Sequence, residues 1–308
     1  MILVLGSSRD HVFPQLTHHL RESGHPFLAI DEDAPTRYTI QREPANGNSI
    51  FRIVGEGCDG RTPVKSIFVR HAVARKLEPE YLQQMGQLQA ELNFMLRVAR
   101  CPILNPPANS LSNYSKAYQV ALLARAGFDV PRSLVTNIPE AARSFWEECD
   151  REVVFKGVSN VTTLAQLLTP ETLPRLDHLS CSPTYFQEYV SGDDYRVHVI
   201  GDEAFVTRIV AENVDYRRTS IIESGEIQVE AGNLPPDIVD RCIAFTHSLG
   251  LAASGMDFKQ QASGRLVALE LNPYPQFTFY DRRSGQPITR AVVDYLIRHQ
   301  ATETNVFA

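Results

Sequence analysis

The sequence reads as an α/β (α+β) chain, with a parallel sheet-and-helix beginning and a mainly antiparallel second half. Three observations carry this. Residues 1–30 run strand, helix, strand, the order that builds a parallel sheet. Over residues 185–210, short strands follow one another through turns with no helix between them, which makes neighbours antiparallel. The 308 residues, 43% hydrophobic and 21% charged, match globular averages and amount to about two domain-sized units. A chain this long buries roughly three quarters of its unfolded surface and needs no disulfides to hold a core.

Residues 1–5 are an apolar strand closed by Gly6-Ser7-Ser8, and a helix is expected over 12–22, ended by Ser23-Gly24. Residues 26–30 form the second strand, with the acidic end Asp31-Glu32-Asp33, while 38–52 is harder to assign. Residues 66–70 read as a strand and 80–99 as a long helix. One glycine follows the first strand where a dinucleotide fingerprint needs G-x-G-x-x-G. Asn105-Pro106-Pro107 breaks the chain. Beyond it, 115–126 is helical and ends at Gly127. Residues 129–136 turn into a strand, 140–148 are a helix, and 152–155 are a strand ending on Lys156. Strands follow over 185–190, 196–200 and 204–210, then a helix over 235–250. Strands 256–259 and 266–272 are joined by Ala262-Ser263-Gly264. A helix over 288–299 completes the chain, in which no internal repeat or low-complexity run appears. The expected units are 1–105, an N-terminal α/β domain framing a substrate site, 106–183, and 184–308.

Several classes of function are set aside by composition. A net charge of −6 gives no overall attraction to a polyanion. The five cysteines, Cys58, Cys101, Cys149, Cys181 and Cys242, are scattered with no C-x-x-C pair, so neither a zinc site nor a disulfide framework is expected. Met1-Ile-Leu-Val-Leu-Gly lacks the basic start and long apolar core of a signal peptide, and no stretch approaches the ~18 apolar residues of a membrane span. The expectation is a cytoplasmic protein with no nucleic-acid or membrane partner and a homodimer as default assembly.

Three clusters carry chemistry. Lys156 ends an apolar strand and precedes Gly157-Val-Ser159-Asn160-Val-Thr162-Thr163. A small, hydroxyl-rich loop lets backbone N–H groups approach phosphate oxygens while the lysine supplies a point charge; taken alone, the pair more often begins an ordinary turn. In 187–196, a strand enters a Gly turn and leaves with Asp194 and Arg196 on one face. The carboxylate suits a ribose hydroxyl and the guanidinium an anion, although a hairpin ion pair has the same look. Asp257 on one strand, with Glu270 and Asn272 on its expected partner, offers three oxygen ligands of the kind Mg²⁺ takes alongside nucleotide phosphates. An amphipathic strand with a wet polar face is the plainer alternative. His198 reads as a strand residue rather than a catalyst.

In this order, the clusters resemble those of ATP-grasp enzymes, from about Asn105 to the C-terminus. The resemblance implies an ATP-grasp fold, with 106–183 as the lid and nucleotide held between it and 184–308. By that likeness Lys116, Lys156 and Ser159 contact the phosphates. Gln187, Glu188, Tyr189 and Val190 form the hinge strand at adenine, and Asp194 holds the ribose. Asp257, Glu270 and Asn272 are the magnesium ligands, and ATP and Mg²⁺ the cofactors. Within the superfamily the chain is similar to stand-alone ribosomal-protein glutamate ligases and graspetide macrocyclases, through 181–188 and Val214-Asp-Tyr-Arg217. Arg196 and Arg217 would then steady the phosphates or the reacting carboxylate, with Asn272 beside them as a catalytic residue, and Arg70 could line the acceptor pocket.

The implied reaction activates a substrate carboxylate as an acyl phosphate and couples it to an amine, less often a hydroxyl, with ADP and phosphate as products. Amino acids, short peptides or small metabolites are the first expectation for substrate, and a ribosomal peptide closed into a macrocycle is the second. Only 157–177 separates Lys156 from the next family-like motif, little room for the leader-capturing hairpin of graspetide enzymes. A nucleotide-binding regulator without catalysis would show a broken metal triad, and all three residues are present.

Overall fold

The computed structural model describes residues 1–45, 48–55, 58–59, 63–71, 79–157, 165–210 and 227–302. The first sheet is parallel, in the order β2-β1-β6-β7 (β1, Ile2–Gly6; β2, Phe27–Asp31; β6, Ser66–Val69; β7, Ile103–Leu104). Every residue of β1 is buried, as a strand covered on both faces must be. One face packs on α1 (Val12–Ser23) and α7 (Ile288–Arg298), through Leu16, Leu20, Val292 and Leu296. The other packs on α2 (Pro79–Val98), through Leu88, Leu92 and Met95. Side chains buried this fully are each worth about 1.5–3 kcal/mol. Residues 38–52 fall largely in a hairpin, β3 (Thr39–Ala45) with β4 (Asn48–Gly55), extended by β5 (Cys58–Asp59).

The middle sheet is antiparallel, β10-β9-β11-β8 (β8, Ser133–Thr136; β9, Val153–Gly157; β10, Gln166–Leu167; β11, Thr184–Glu188). It is covered by α4 (Pro139–Glu148) through Ala142 and Trp146. β11 pairs on both sides within this sheet, so it lies with the middle unit, past the expected boundary at 183. The strand must return through the sheet's centre before the chain can cross to the next one.

The largest sheet is antiparallel, β14-β13-β12-β15-β16 (β12, Asp193–Ile200; β13, Glu203–Val210; β14, Gln228–Ala231; β15, Ala253–Gln260; β16, Leu266–Asn272). One face packs Val197, Met256, Phe258 and Leu271 against α3 (Lys116–Arg125) and α5 (Pro236–Ser248), through Leu123, Cys242 and Phe245. The other face is apolar toward α7, where Ile200, Ile209 and Ala253 join the first core, and charged toward the middle sheet. Gly192 opens β12 at φ +128°, and a Cβ there would collide with the Gln260 backbone, so only glycine allows β12 and β15 to close at this end. α6 (Thr278–Ser284), absent from the sequence reading, links β16 to α7. Among the described residues no helix is long and apolar enough to cross a membrane.

Candidate active site

The charged face is built by strand register. Asp194 lies opposite Lys259, and Arg196 opposite Asp257. Asp257 in turn lies opposite Glu270, and Gly255 opposite Asn272. A register shift between Asp257 and Phe258 lets Leu271 and Ala268, three apart, both pack behind the sheet. It is a bulge of the sort that re-aims side chains beside a site, and Glu270 and Asn272 stay on the Asp257 face.

Lys116 and Lys156 converge on Glu270 from two other elements. Lys116 starts α3 behind the cap of Ser115, whose Oγ accepts the Tyr118 N–H at 3.3 Å. Gln119, one turn on, ties the helix to β16 by donating to the Leu271 carbonyl and accepting the Leu271 N–H at 3.1 Å. Lys116 Nζ then lies 3.5 Å from Glu270 Oε2. Lys156, on β9, reaches across from the middle sheet to within 3.9 Å of the same oxygen. Its ammonium stands 5.5 Å from the centre of the Tyr185 ring. The Tyr185 hydroxyl is pushed up to about 12 by burial, opposed by a hydrogen bond with Ser133 and reinforced by the Glu270 charge.

Further along the face, Arg196 Nη1 donates to Asp257 Oδ1 at 2.6 Å, and only 6% of its side chain is exposed. Lys259 Nζ donates to Asp194 Oδ2 at 2.8 Å and to the Gly192 carbonyl at 3.1 Å. Lys259 was not singled out in the sequence, although its spacing of two from Asp257 places it on the same face. Asn272 Oδ1 accepts the Tyr274 N–H at 2.9 Å, which fixes the amide at the end of β16. Arg70 reaches that turn from β6, donating to the carbonyls of Tyr274 at 2.5 Å and Pro275 at 3.2 Å while its Nε donates to Asp10 at 2.6 Å.

The stretch 187–190 crosses from β11 to β12. Gln187 is buried, with Nε2 donating to the Tyr185 hydroxyl at 3.2 Å. The Tyr189 N–H donates to the Glu152 carbonyl at 2.8 Å, and Val190 is buried. Glu188 accepts from the Arg132 backbone at 3.1 Å and from its Nε at 3.2 Å. Burial pushes the Glu188 carboxyl up, and the hydrogen bonds and charge of Arg132 outweigh it, leaving the group below its ordinary value. His198 is fully buried, 4.8 Å from the Tyr280 ring centre, and burial together with the Arg196 charge lowers its pKa well below the ordinary histidine value. A neutral, enclosed imidazole of this kind is a strand residue. Ser159 and Arg217 lie outside the described residues.

The donor set suits a hard cation bound together with phosphates. Asp257, Glu270 and Asn272 bring oxygen ligands from neighbouring strands, and Mg²⁺ takes one or two carboxylates while phosphate oxygens complete its shell. Among the described residues no group of three or more His, Cys, Asp or Glu side chains gathers as a metal cage. A family model described as the RimK-like ATP-grasp domain matches residues 113–296, more than half of the chain. The chain belongs to the RimK-like ATP-grasp family.

Solved structures extend the likeness beyond that domain. The chain is 30% identical to the ATP-grasp ligase PsnB complexed with its minimal precursor, with a TM-score of 0.80 over 97% of this chain and 99% of that one. PsnB complexed with minimal precursor, Mg and ADP is 29% identical, with a TM-score of 0.80 over 97% and 96%. The macrocyclase MdnC from Microcystis aeruginosa MRC, bound with precursor peptide MdnA, shares the fold at 19% identity and a TM-score of 0.80 over 97% and 99%. Among curated proteins, a probable alpha-L-glutamate ligase of Haemophilus influenzae strain Rd is 24% identical over 202 residues, 63% of this chain and 66% of the relative. The chain thus spans just under two thirds of that curated relative's length. The ATP-grasp fold of this RimK-like chain agrees with the expectation from the sequence, as do its cofactors, ATP and Mg²⁺.

Proposed function

We propose that this RimK-like ATP-grasp protein is an ATP-dependent carboxylate ligase whose substrate is a ribosomally made precursor peptide. The observation that carries the chemistry is the meeting of Lys116, Lys156 and Glu270 at 3.5 and 3.9 Å across two sheets. Two ammoniums and a carboxylate at one point suit a polyphosphate and its cation. The peptide reading, second in the sequence analysis, becomes first because the relatives matched over 97% of the chain at about 30% identity are precursor-bound ligases. The glutamate-ligase match covers 63%.

In this reading ATP lies between the middle sheet and the five-stranded sheet. Lys116 and Lys156 hold its phosphates with Ser159, residues 187–190 its adenine and Asp194 its ribose, with Lys259 keeping that carboxylate in place. Asp257, Glu270 and Asn272 hold the cation, which when bound neutralises phosphate charge. A substrate carboxylate oxygen attacks the γ-phosphorus and ADP leaves. An amine or hydroxyl oxygen of the peptide then attacks the acyl carbon, gives up its proton, and expels phosphate. The chain's residues contribute position and electrostatic stabilisation. Arg196 acts through Asp257, and Arg217 steadies the reacting carboxylate. Arg70 lines the acceptor side, one turn from Asn272.

The test incubates the purified protein and Mg²⁺-ATP with candidate precursor peptides encoded beside its gene, and separately with pooled amino acids. A Glu270→Ala/Asn272→Ala variant is the control. ADP and phosphate release with loss of one water mass per bond in a peptide, absent in the variant, is the expected result. Turnover with amino acids and none with peptides would overturn the peptide assignment alone. AMP and pyrophosphate as products would overturn the acyl-phosphate mechanism.

A further inference from the structure

Gly255 sits in the middle of β15, one residue from neither turn nor bulge, and its backbone is not among the glycines at positive φ. Glycine weakens a strand relative to alanine because it loses more backbone freedom on folding, so a glycine here needs a spatial reason. A Cβ built on it would fall 2.6 Å from both Cζ and Nε of Arg196 and closer still to Nη2. The Arg196 guanidinium therefore occupies the volume a side chain at 255 would take.

That guanidinium has little room elsewhere. Asp257 Oδ1 holds one edge at 2.6 Å, the Tyr280 ring centre stands 5.7 Å from Cζ, and only 5% of the residue is exposed. Gly255 is also the register partner of Asn272 on β16 and of His198 on β12. The vacancy thus opens on the face that carries all three proposed metal ligands. A displaced Arg196 guanidinium would weaken its 2.6 Å bond to Asp257.

We infer that Gly255 is a positioning residue of the reaction: the space above its Cα seats Arg196, and Arg196 orients the Asp257 carboxylate toward the cation. The inference rests on the proposed function in taking Asp257 as a ligand. Partners that orient a metal ligand are typically worth 10–100-fold in metal affinity.

The test is a double-mutant cycle of Gly255→Ala and Arg196→Ala, read as Mn²⁺ binding in the presence of ADP by electron paramagnetic resonance, with melting temperatures alongside. Each single variant should bind Mn²⁺ about 10-fold more weakly, and the double variant no more weakly than Arg196→Ala, because the three atoms nearest the extra methyl all belong to the guanidinium. A Gly255→Ala protein that binds like the unmodified chain, or losses that multiply in the double variant, would overturn the inference. If Gly255→Ala does not fold, a double variant that folds like Arg196→Ala supports it, and one that also fails overturns it. Should the unmodified chain not bind Mn²⁺ with ADP, the metal assignment of Asp257 falls. Coupling between the two positions in the melting temperatures then still decides whether Gly255 is there to seat Arg196.

Discussion

Glu270→Gln keeps the shape of the side chain and removes a charge that two lysines share. With Lys116 and Lys156 at 3.5 and 3.9 Å from Oε2, each attraction is roughly 4–5 kcal/mol at an effective dielectric near 20, before desolvation. Exposed pairs net about 0–1 kcal/mol, while breaking a buried pair costs about 3–5. Glu270, with 19% of its side chain exposed, lies between those limits, and a loss of about 2 kcal/mol is expected. That lowers the melting midpoint by roughly 5 °C in the absence of nucleotide. The local charge of this group rises from +1 to +2, so ATP in EDTA should bind more tightly than to the unmodified chain. With Mg²⁺ the order reverses, because a proposed cation ligand is gone, and phosphate release falls by at least about 10-fold. Calorimetry with and without Mg²⁺, beside a phosphate-release assay, reads all three. Unchanged turnover, or metal-free ATP binding no tighter than before, would refute the placement of Glu270 between metal and phosphate.

Other residues give sharp expectations of their own. Lys259→Met strands the buried Asp194 carboxylate and should cost about 3 kcal/mol in urea denaturation, most of it recovered in Asp194→Asn/Lys259→Met; an additive double variant would refute the pairing. Asn105→Ala removes hydrogen bonds to Ala252 N, Ala253 N, Ala253 O and Pro273 O, all between 2.5 and 2.9 Å, and should cost about 3 kcal/mol. A cost within error of zero would show that water replaces the amide. His198 binds its proton far less readily folded than unfolded. The unfolded chain therefore takes up one more proton as pH falls below about 6.5, and stability drops by up to ~1.4 kcal/mol per pH unit. His198→Phe should flatten that acid slope by one proton, and an unchanged slope would place the imidazole in water.

Much of the fold was readable because its signals are local. The β1 run, the α2 periodicity, the Gly127 stop and the β15–β16 hairpin each declare themselves within about twenty residues. The β3–β4 hairpin was missed although Ala45 pairs with Asn48 and the two residues between them are Asn46-Gly47, a strong hairpin dipeptide; Pro44 inside the strand masked the alternation. β14 and α6 were missed because each is short, four and seven residues, and held by tertiary contacts such as Arg283 Nη1 donating to the Ile227 carbonyl at 3.1 Å. At the site, residue types and faces were legible, and partners were not. Nothing local joins Lys259 to Asp194 or Lys156 to Glu270, which lie 65 and 114 positions apart.

Those long-range partners also explain how one face can hold so many charges. Going along the sheet, Asp194 sits on Lys259, Arg196 on Asp257, and Glu270 beside Lys116 and Lys156, so each charge finds its opposite on a neighbouring strand or element. Paired charges escape the several kcal/mol of desolvation that a lone buried ion pays. The pairing is not uniform in purpose. Lys259, Arg196 and Lys156 are nearly enclosed, at 7%, 6% and 8% of side-chain exposure, whereas Asp257, Glu270 and Lys116 keep 17%, 19% and 23%. The Lys259–Asp194 and Arg196–Asp257 pairs, held at 2.8 and 2.6 Å, fix the floor of the site, and the looser group around Glu270, at 3.5 and 3.9 Å, is where the proposed polyphosphate and cation would exchange partners. Variants in the floor should therefore lower stability and metal affinity together, and variants in the looser group should change the metal dependence of ATP binding most.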